Sequence, residues 1–457
     1  MKDKSPTKAL ADFVVNTNLK DLPEGVIQTS RRCFLDWVGV TIGGMKDPSV
    51  QILVDFIKEA GGEAQASVMG YGIKTSVLHA ALVNGTMAHA LDYDDAHMQT
   101  RNHPSAPLIA ALLGLAEYKR LSGSQLVTAF VLGFEVATRI GLALGHAYYD
   151  EGWHATPILG RFGAAAGVGK LLGLDAEKLG HAFGLAATQA GGIRRSFGSM
   201  GKAFNAGKAG MDGTLSALLA WRGFTASKEI LDESSGFGRM LSAQFDPYPM
   251  LEGLGTRYSV LDVSFKPYAA CLAIHPVISG LIWIREEHPV APGSIERINL
   301  QVAPIGLLLG GNPHPKSGTE GKFSAYYCAA LAVREGQAGE TFFTDELVQA
   351  PPIRDLMERT TMRGNESLGE SEAVLEVLLK DGSRFTKHIT APKGDPRNPM
   401  TLDEIVNKVI DLTRHLLPDR KIKPVLSMIG DLENLKNVLG LVKSCCIDED
   451  SERSAPS

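Results

Sequence analysis

The sequence has few cysteines, and they form no motif. The 457 residues include five, an odd number without metal-ligand spacing: Cys33, Cys271, Cys328, Cys445 and Cys446. Sparse cysteines of this kind are typical of a reducing compartment, and we expect the first three to be small core residues. The cysteines therefore predict neither a disulfide scaffold nor a zinc site.

Long apolar runs and strongly one-signed charge are also missing. No segment reaches about 18 uncharged apolar residues, the length that a membrane-spanning helix needs. The N-terminal stretch MKDKSPTKALADFVV lacks the apolar core of a signal peptide and resembles the start of an amphipathic helix. The formal net charge is only −5, and no basic run interleaves with aromatics. We expect a cytoplasmic protein that binds neither membranes nor nucleic acid.

Helical periodicity fills most of the chain. From residue 7 to about 223, apolar residues recur at helical spacing, and glycines interrupt the pattern between segments. Strand patterns appear later: RINLQVAP (297–304) alternates, and VLEVLLKDGSRFTKHI (374–389) reads as two strands around Asp381-Gly382. Helical spacing returns after residue 398, where Thr401 and Glu404 suggest a capping box for a helix over residues 402–416. Residues 432–441 predict another short helix.

This order predicts a mainly α fold, a large all-helical domain with a smaller α+β lid domain. We assign residues 1–261 and 399–446 to the helical domain, 262–398 to the lid domain, and 447–457 to a flexible tail. A cleft between two such domains is a frequent place for a small-molecule site.

Titratable residues concentrate in NGTMAHALDYDDAHMQTRNHPSAP (84–107), between apolar segments. Unpaired burial of such groups is expensive, so this placement suggests chemistry. If the helix continues to residue 92, His89 and Asp92 share one face, and so do Asp92 and Asp95. A carboxylate beside a histidine orients the ring for acid–base work. Structural pairing of the aspartates, with His97 on the surface, is the alternative.

Several basic residues follow in GGIRRSFGSMGKAFNAGKAGMDG (191–213), a glycine loop that enters a helix. Such a loop suits a carboxylate or phosphate ligand, and a solvated basic loop is the alternative. Three isolated polar residues also stand in apolar surroundings: His154, Lys266 and Tyr327. A buried lysine can donate a proton or hold a substrate carboxylate, although a structural role is open for each of the three.

Other motifs are missing or mismatched. GRFGAAAGVGK (160–170) has the wrong spacing for a phosphate-binding loop and does not follow a strand, so it indicates helix packing. No GxGxxG follows a strand, and no GxSxG occurs. The histidines and aspartates of residues 84–107 leave a metal site open as an alternative, but HExxH is absent. We expect neither a metal nor an organic cofactor.

Long segments resemble one known family. The stretches AALVNGTMAHALDYDDAH, HPSAPLIAALLGLAE, GWHATPILGRFGAAAGVGKLLGL, GKAFNAGKAGMDG, FKPYAACLAIHP and KFSAYY are similar to the MmgE/PrpD family. That family includes 2-methylcitrate dehydratase, cis-aconitate decarboxylase and iminodisuccinate epimerase. The resemblance implies a helical domain with a lid domain, a homodimer, chemistry without a cofactor, and small di- or tricarboxylate substrates bound between the domains.

The resemblance also implies an active-site set, carried over position by position: Asp92, His103, His154, Lys202, Lys266 and Tyr327. We add Arg194, Ser196 and Lys208 of the glycine loop as candidate substrate-binding residues. In this interpretation His103 is the acid–base group tuned by Asp92, and Lys202 and Lys266 bind carboxylates and stabilise a carbanion. Tyr327 and His154 orient the substrate or relay the second proton.

One position departs from the family pattern. Ala96 follows Asp94-Asp95, where decarboxylase and dehydratase members often carry threonine, so a hydroxyl that could hold a carboxylate is missing. We expect a lyase that transfers a proton α to a carboxylate. An epimerase of an amino-dicarboxylate and a non-catalytic carboxylate-binding homologue stay open.

Overall fold

The computed structural model describes residues 5–232 and 236–447, which form two compact units. Unit 1 comprises Met1–Val263 and Leu402–Ser457, and unit 2 is the intervening segment Ser264–Thr401. The described residues are predominantly helical with few strands, which confirms the mainly α fold class. Of the predicted flexible tail, all but residue 447 lies outside the described residues.

Unit 1 is built almost entirely of helices. Its α-helices are α1 Pro6–Asn16, α2 Glu24–Gly43, α3 Pro48–Ala60, α4 Val77–Ala90, α5 Ser105–Lys119, α6 Gly123–Leu144, α7 Ala147–Asp150, α8 Ala155–Leu171, α9 Ala176–Thr188, α10 Met200–Trp221, α11 Phe237–Leu241, α12 Tyr248–Leu251, and, after unit 2, α19 Leu402–Thr413, α20 Asp419–Gly430 and α21 Leu439–Ser444. Two short strands, β1 Ala66–Ser67 and β2 Lys74–Thr75, pair antiparallel.

Glycines let the central helices of unit 1 approach closely. Helix α10 packs against α4 and α8, and α8 packs against α6. A Cβ on Gly85 of α4 would lie 2.8 Å from Gly207 Cα of α10, so any larger residue would push these helices apart. Helix α4 carries His89 and helix α10 carries Lys202, so this close contact brings residues of the candidate site near one another.

The interpretation of residues 160–170 as a packing segment agrees with the structure. The segment lies inside α8, where a Cβ on Gly163 would meet the Gly133 carbonyl oxygen of α6 at 2.9 Å. Among the described residues, α6 is long and apolar enough to cross a membrane by length and composition. Its most apolar window is 94% buried within the protein, which is also the setting of an ordinary core helix.

Unit 2 combines a four-stranded sheet with helices. The strands are β3 Ile295–Val302, β4 Thr360–Gly364, β5 Ala373–Leu379 and β6 Arg384–Ile389, in the order β4-β3-β5-β6. Strands β3 and β4 are parallel, and the other two pairs are antiparallel. The helices are α13 His275–Glu287, α14 Pro304–Gly310, α15 Gly318–Gly321, α16 Ala325–Glu335, α17 Asp345–Val348 and α18 Pro351–Glu358.

The hairpin predicted around Asp381-Gly382 is confirmed. Strands β5 and β6 pair antiparallel across it, and Gly382 has a φ of 87°, which glycine adopts without strain. Alternate residues of β5 are buried, and α13 packs on β5 and β6, with Gly280 against the Leu375 side chain. A period-two apolar pattern thus identified the strands because one face of the sheet is covered.

Some predicted boundaries were wrong. Helix α10 begins at Met200, whereas the helical spacing of apolar residues predicts a helix over residues 205–222. The short helix expected over residues 432–441 is a 3₁₀ turn, Leu432–Asn434, followed by α21. Helix α20 was missed because it contains Pro424, although Ile422, Val425 and Ile429 recur at helical spacing and are buried.

Candidate active site

The segment between α4 and α5 is buried almost throughout and contains two residues with a left-handed backbone, Asp92 and Arg101. Helix α4 ends at Ala90, and Asp92 adopts a φ of 51°, a left-handed conformation that aspartate tolerates better than most residues. The predicted continuation to residue 92 is therefore wrong, and the expected i,i+3 pairs of His89 and Asp95 with Asp92 do not form on a helix. The titratable side chains are buried or nearly so, and His97, assigned to the surface in the structural alternative, is 1% exposed.

Asp94 lies between two histidines. Its carboxylate oxygens are 3.0 and 2.9 Å from His89 Nδ1, and its Oδ2 is 3.3 Å from His103 Nδ1. Burial alone would raise the pKa of Asp94, but the two imidazoles more than offset it and hold the pKa well below its usual value. Asp94 is therefore the carboxylate that orients His103. The predicted partner, Asp92, is paired elsewhere.

The surroundings of His103 determine which of its nitrogens can act. His103 Nδ1 lies 2.9 Å from the Asp95 carbonyl oxygen, an atom that can only accept a hydrogen bond. Nδ1 must therefore carry the hydrogen, and in the neutral ring Nε2 has the free lone pair. The His103 side chain is 14% exposed, so a small ligand can reach it more readily than its buried neighbours. This nitrogen is a candidate general base.

Lys202 supplies a positive charge beside the strained aspartate. It lies in the first turn of α10, and its Nζ is 2.5 Å from Asp92 Oδ1. The ammonium also lies 5.4 Å from the centre of the Phe197 ring. Both members of this ion pair are almost fully buried, so their charges interact with little screening by solvent.

His154 completes the histidine cluster. It precedes the first residue of α8, and its Nδ1 is 3.3 Å from Asn205 Nδ2. Its ring centre is 6.0 Å from that of His89 and 4.8 Å from that of Phe197. Burial, and then the positive charges that His89 and Lys202 can carry, place the pKa of His154 well below its usual value, so it is neutral near pH 7.

A second layer of carboxylates lies behind Asp94. Asp95 accepts a 2.5 Å hydrogen bond from Ser105 Oγ, and burial followed by the charge of Asp36 raises the pKa of Asp95 to about 7. Lys408 of α19 donates to Asp36 Oδ1 at 2.7 Å and to the Tyr93 carbonyl at 2.6 Å. The buried ammonium of Lys408 thus ties the segment between α4 and α5 to α2.

Two of the predicted catalytic residues belong to unit 2. Lys266 is fully buried there. Tyr327, on α16, donates its hydroxyl to the Phe342 carbonyl at 2.5 Å and packs edge-on against Phe343. Burial raises the pKa of Tyr327 far above its usual value, so the phenol stays protonated. The four predicted catalytic residues of unit 1 (Asp92, His103, His154 and Lys202) form one cluster.

Two of the three residues assigned to substrate binding in the glycine loop, Lys208 and Arg194, contact other side chains or backbone carbonyls of the protein. Lys208 forms an ion pair with Asp212, one turn along α10, and Asp212 also contacts Arg161 at 3.2 Å. Arg194 donates to the Asp150 carbonyl at 3.1 Å, and its guanidinium lies 4.5 Å from the Tyr149 ring centre. Ser196 is half-buried in a 3₁₀ turn. Their substrate-binding role stays a prediction.

His89 and Asp94 are candidate site residues that the sequence interpretation passed over. Both lie in the titratable segment, but helical spacing predicted Asp92 as the partner of His89. Helix α4 ends at Ala90, so that pair does not form on a helix. His89, Asp94 and His103 also offer ligand atoms within 4.8 Å of one another, close enough to hold a metal ion. That no metal is needed stays a prediction.

Comparison with known proteins extends over both units. Residues 8–249 match the model of the MmgE/PrpD N-terminal domain, and residues 268–429 match that of the C-terminal domain. A cis-aconitate decarboxylase of Aspergillus terreus is 25% identical over 466 residues, covering 96% of this chain and 95% of its own. The cis-aconitate decarboxylases of Mus musculus and Homo sapiens are each 27% identical, covering 95% of this chain and 92% and 93% of their own.

Proposed function

The chain belongs to the MmgE/PrpD family, and from that premise we propose that it is a lyase acting on a small di- or tricarboxylate. The observation that carries the proposal is the buried cluster of His103, His154 and the Asp92–Lys202 pair. It combines a histidine with a free Nε2 lone pair and a buried ammonium, the two groups that proton transfer α to a carboxylate requires.

The reaction begins at His103. Its Nε2 removes the proton from the carbon next to a carboxylate, and the electron pair left behind delocalises into that carboxylate. Lys202 and Lys266 bind substrate carboxylates, and their charges stabilise the developing negative charge; one such electrostatic contact is commonly worth about 10²–10³ in rate. The electron pair then expels a β substituent. A hydroxide substituent takes up the proton that His103 removed and leaves as water, with His154 and Tyr327 orienting the substrate.

Decarboxylation uses the same groups in a different order. Loss of CO₂ leaves its bonding electron pair on the substrate, where a remaining carboxylate delocalises it, and a protonated site residue then delivers a proton to the resulting carbanion. The names of the similar proteins from Aspergillus terreus, Mus musculus and Homo sapiens support this version.

Epimerisation of an amino-dicarboxylate is the second candidate, and Ala96 is the observation that favours it. Ala96 is 5% exposed and directly follows Asp94-Asp95, so no hydroxyl is available at this position to hold a substrate carboxylate. Return of the proton to the opposite face, without loss of a group, would make the same site an epimerase. We also propose a homodimer without a cofactor, to be checked by light scattering and by metal analysis of the purified protein.

Proton NMR in deuterated water distinguishes these reactions. The protein is incubated separately with 2-methylcitrate, cis-aconitate and iminodisuccinate, with and without a chelator. The proposal expects elimination or decarboxylation of a tricarboxylate, unaffected by the chelator. α-Proton exchange with inversion, confined to iminodisuccinate, would identify the epimerase. Binding of the acids without turnover or exchange would favour a non-catalytic homologue and overturn the lyase.

A further inference from the structure

His89 is a buried histidine to which the proposed reaction assigns no role. Its Nδ1 faces both oxygens of Asp94, at 3.0 and 2.9 Å. The low pKa of Asp94 keeps that carboxylate ionised, and an ionised carboxylate only accepts hydrogen bonds, so His89 Nδ1 carries the hydrogen. Burial, opposed in part by Asp94, lowers the pKa of His89 to about 4. His89 is therefore neutral near pH 7, and its Nε2 has a free lone pair.

That lone pair is the feature that points to a ligand. Within residues 5–232 and 236–447, no group donates a hydrogen bond to His89 Nε2, although the atom is fully buried. Leaving a buried polar atom without a partner typically costs about 1–3 kcal/mol, so proteins rarely do so without a reason. A molecule bound in the site, with an O–H or N–H group next to His89 Nε2, would supply the missing donor.

The neighbours of His89 place this acceptor in the candidate site. Its ring centre is 4.7 Å from that of His103, in edge-to-face contact, and 6.0 Å from that of His154. A fully ionised carboxylate has no hydrogen to donate, and its charge would be repelled by the lone pair. The substrate's carboxylates therefore suit the lysines, whereas His89 Nε2 suits a neutral O–H group.

We propose that His89 Nε2 accepts a hydrogen bond from an O–H group bound in the site, and that this group is a hydroxyl of the substrate. His89 is then a substrate-binding residue that selects hydroxy-carboxylates over acids without a hydroxyl. An ordered water is the other source of the same O–H chemistry. The inference rests on the proposed function for the carboxylate class of the ligand, but it needs no turnover to be tested.

Two tricarboxylates that differ by one hydroxyl provide the test. Citrate carries the hydroxyl and propane-1,2,3-tricarboxylate lacks it, and calorimetry measures the affinity of the intact protein for each. The matched variants are His89→Asn, whose amide can replace the Nδ1–H donor to Asp94 but has no Nε2, and His89→Gln, whose amide reaches the Nε2 position instead.

The expected result is a preference of the native protein for citrate of up to about 10-fold, the usual size of one net hydrogen bond. His89→Asn should abolish that preference by weakening the binding of citrate, while the affinity for propane-1,2,3-tricarboxylate stays within about 2-fold of the native value. Equal weakening of both acids would assign the donor to a water and overturn the substrate contact. Absence of the preference in the native protein would also overturn it. Failure of both acids to bind would overturn the proposed substrate class as well.

A second measurement avoids variants altogether. In protein labelled with ¹⁵N-histidine, the lone-pair Nε2 resonance of His89 should shift when citrate is added and not when propane-1,2,3-tricarboxylate is added. An Nε2 resonance that responds identically to the two acids would contradict the proposal even if His89→Asn fails to fold.

Discussion

Two buried lysine–aspartate pairs lie close together in unit 1, and their settings differ. Lys408 and Asp36 are both on helices, and Lys408 also donates to the Tyr93 carbonyl and lies 3.9 Å from the centre of the Tyr93 ring. Lys202 lies in the first turn of a helix that follows a glycine loop, and its partner Asp92 has a strained left-handed backbone. Strain of this kind persists only where the surrounding structure maintains it, and it concentrates at functional sites.

The different settings of the two ion pairs suggest that one is structural and the other functional. Asp36–Lys408 holds the residue next to Asp92 in place, whereas Asp92–Lys202 presents charge to a ligand. Replacing both members of a buried ion pair by neutral residues is often tolerated, while removing one member is expensive. Paired and single replacements can therefore separate a structural pair from a functional one.

The largest effect is expected on turnover, from neutralising the pair at the site. The double variant Asp92→Asn/Lys202→Met should fold but lose about 10²–10³ of kcat, because the ammonium that stabilises developing negative charge is gone. Steady-state kinetics on the substrate identified by NMR, with circular dichroism as the folding control, provides the check. The matched variant Asp36→Asn/Lys408→Met should keep kcat within about 10-fold. A similar loss of kcat in both would remove the distinction.

The next effect is on stability, from breaking the structural pair. Lys408→Met leaves Asp36 buried beside no cation, and should lower the free energy of unfolding by about 3–5 kcal/mol. Urea denaturation measures this change. Adding Asp36→Asn to the same chain should recover most of the loss. If the double variant is no more stable than Lys408→Met, the damage comes from lost packing of the lysine stem and not from the uncompensated charge.

A third effect depends on pH and concerns Asp95, next to the structural pair. Its pKa is raised from 3.8 to about 7, so the folded state holds a proton that the unfolded state releases above pH 4. Below pH 4, Asp95 therefore does not lower the free energy of unfolding. Between pH 4 and 7 this free energy falls, and above pH 7 the full destabilising penalty remains. A shift of about 3 units at about 1.4 kcal/mol each bounds the penalty at about 4 kcal/mol.

Asp95→Asn should remove that penalty. Relative to the native protein, the variant should be equally stable at pH 4 and more stable at pH 8, as measured by urea unfolding at each pH. The difference isolates Asp95 from Glu135, whose pKa burial also raises to about 7. A stability difference that does not change with pH would show that Asp95 is ionised in the folded protein.

The smallest effect is expected from Lys208, which pairs with Asp212 on the same helix and is 37% exposed. Asp212 is buried but keeps Arg161 as a second partner, so Lys208→Met should change the free energy of unfolding by no more than about 1 kcal/mol. Because Asp212 already holds its ammonium, we expect KM to rise by less than about 3-fold. A KM increase as large as that of Lys202→Met would instead support the predicted substrate-binding role of Lys208.

The features that could be predicted from the sequence are those that a local pattern of apolar residues determines. Helical spacing located most helices of unit 1, and period-two alternation with Asp381-Gly382 located the β5–β6 hairpin, because burial of one face produces those patterns. It did not predict the end of α4 at Ala90, since a left-handed Asp92 is stabilised by contacts far along the chain. Lys202 is 110 residues from Asp92, and nothing in either segment identifies the other as its partner.

The partners of His89 and His103 could not be predicted for the same reason: they depend on the backbone path beyond the helix. The pairing of His89 with Asp92 assumed a helix through residue 92 that the structure does not form, whereas Asp94 reaches both His89 and His103 from an irregular segment. Spacing along a helix does not predict a pair that forms where the helix has already ended. Which carboxylate orients which ring depends on backbone angles that short-range patterns do not contain.

In the proposed reaction His103 Nε2 transfers the substrate proton, and the His103→Asn variant tests this role. His103→Asn can keep a donor for the Asp95 carbonyl but has no atom at the Nε2 position. The measurement is the rate of proton transfer at the α-carbon of the accepted substrate, followed by NMR in deuterated water. A fall of about 10²–10⁴ in a variant that folds and still binds the acid is the predicted result. An undiminished rate in that folded variant would contradict the account.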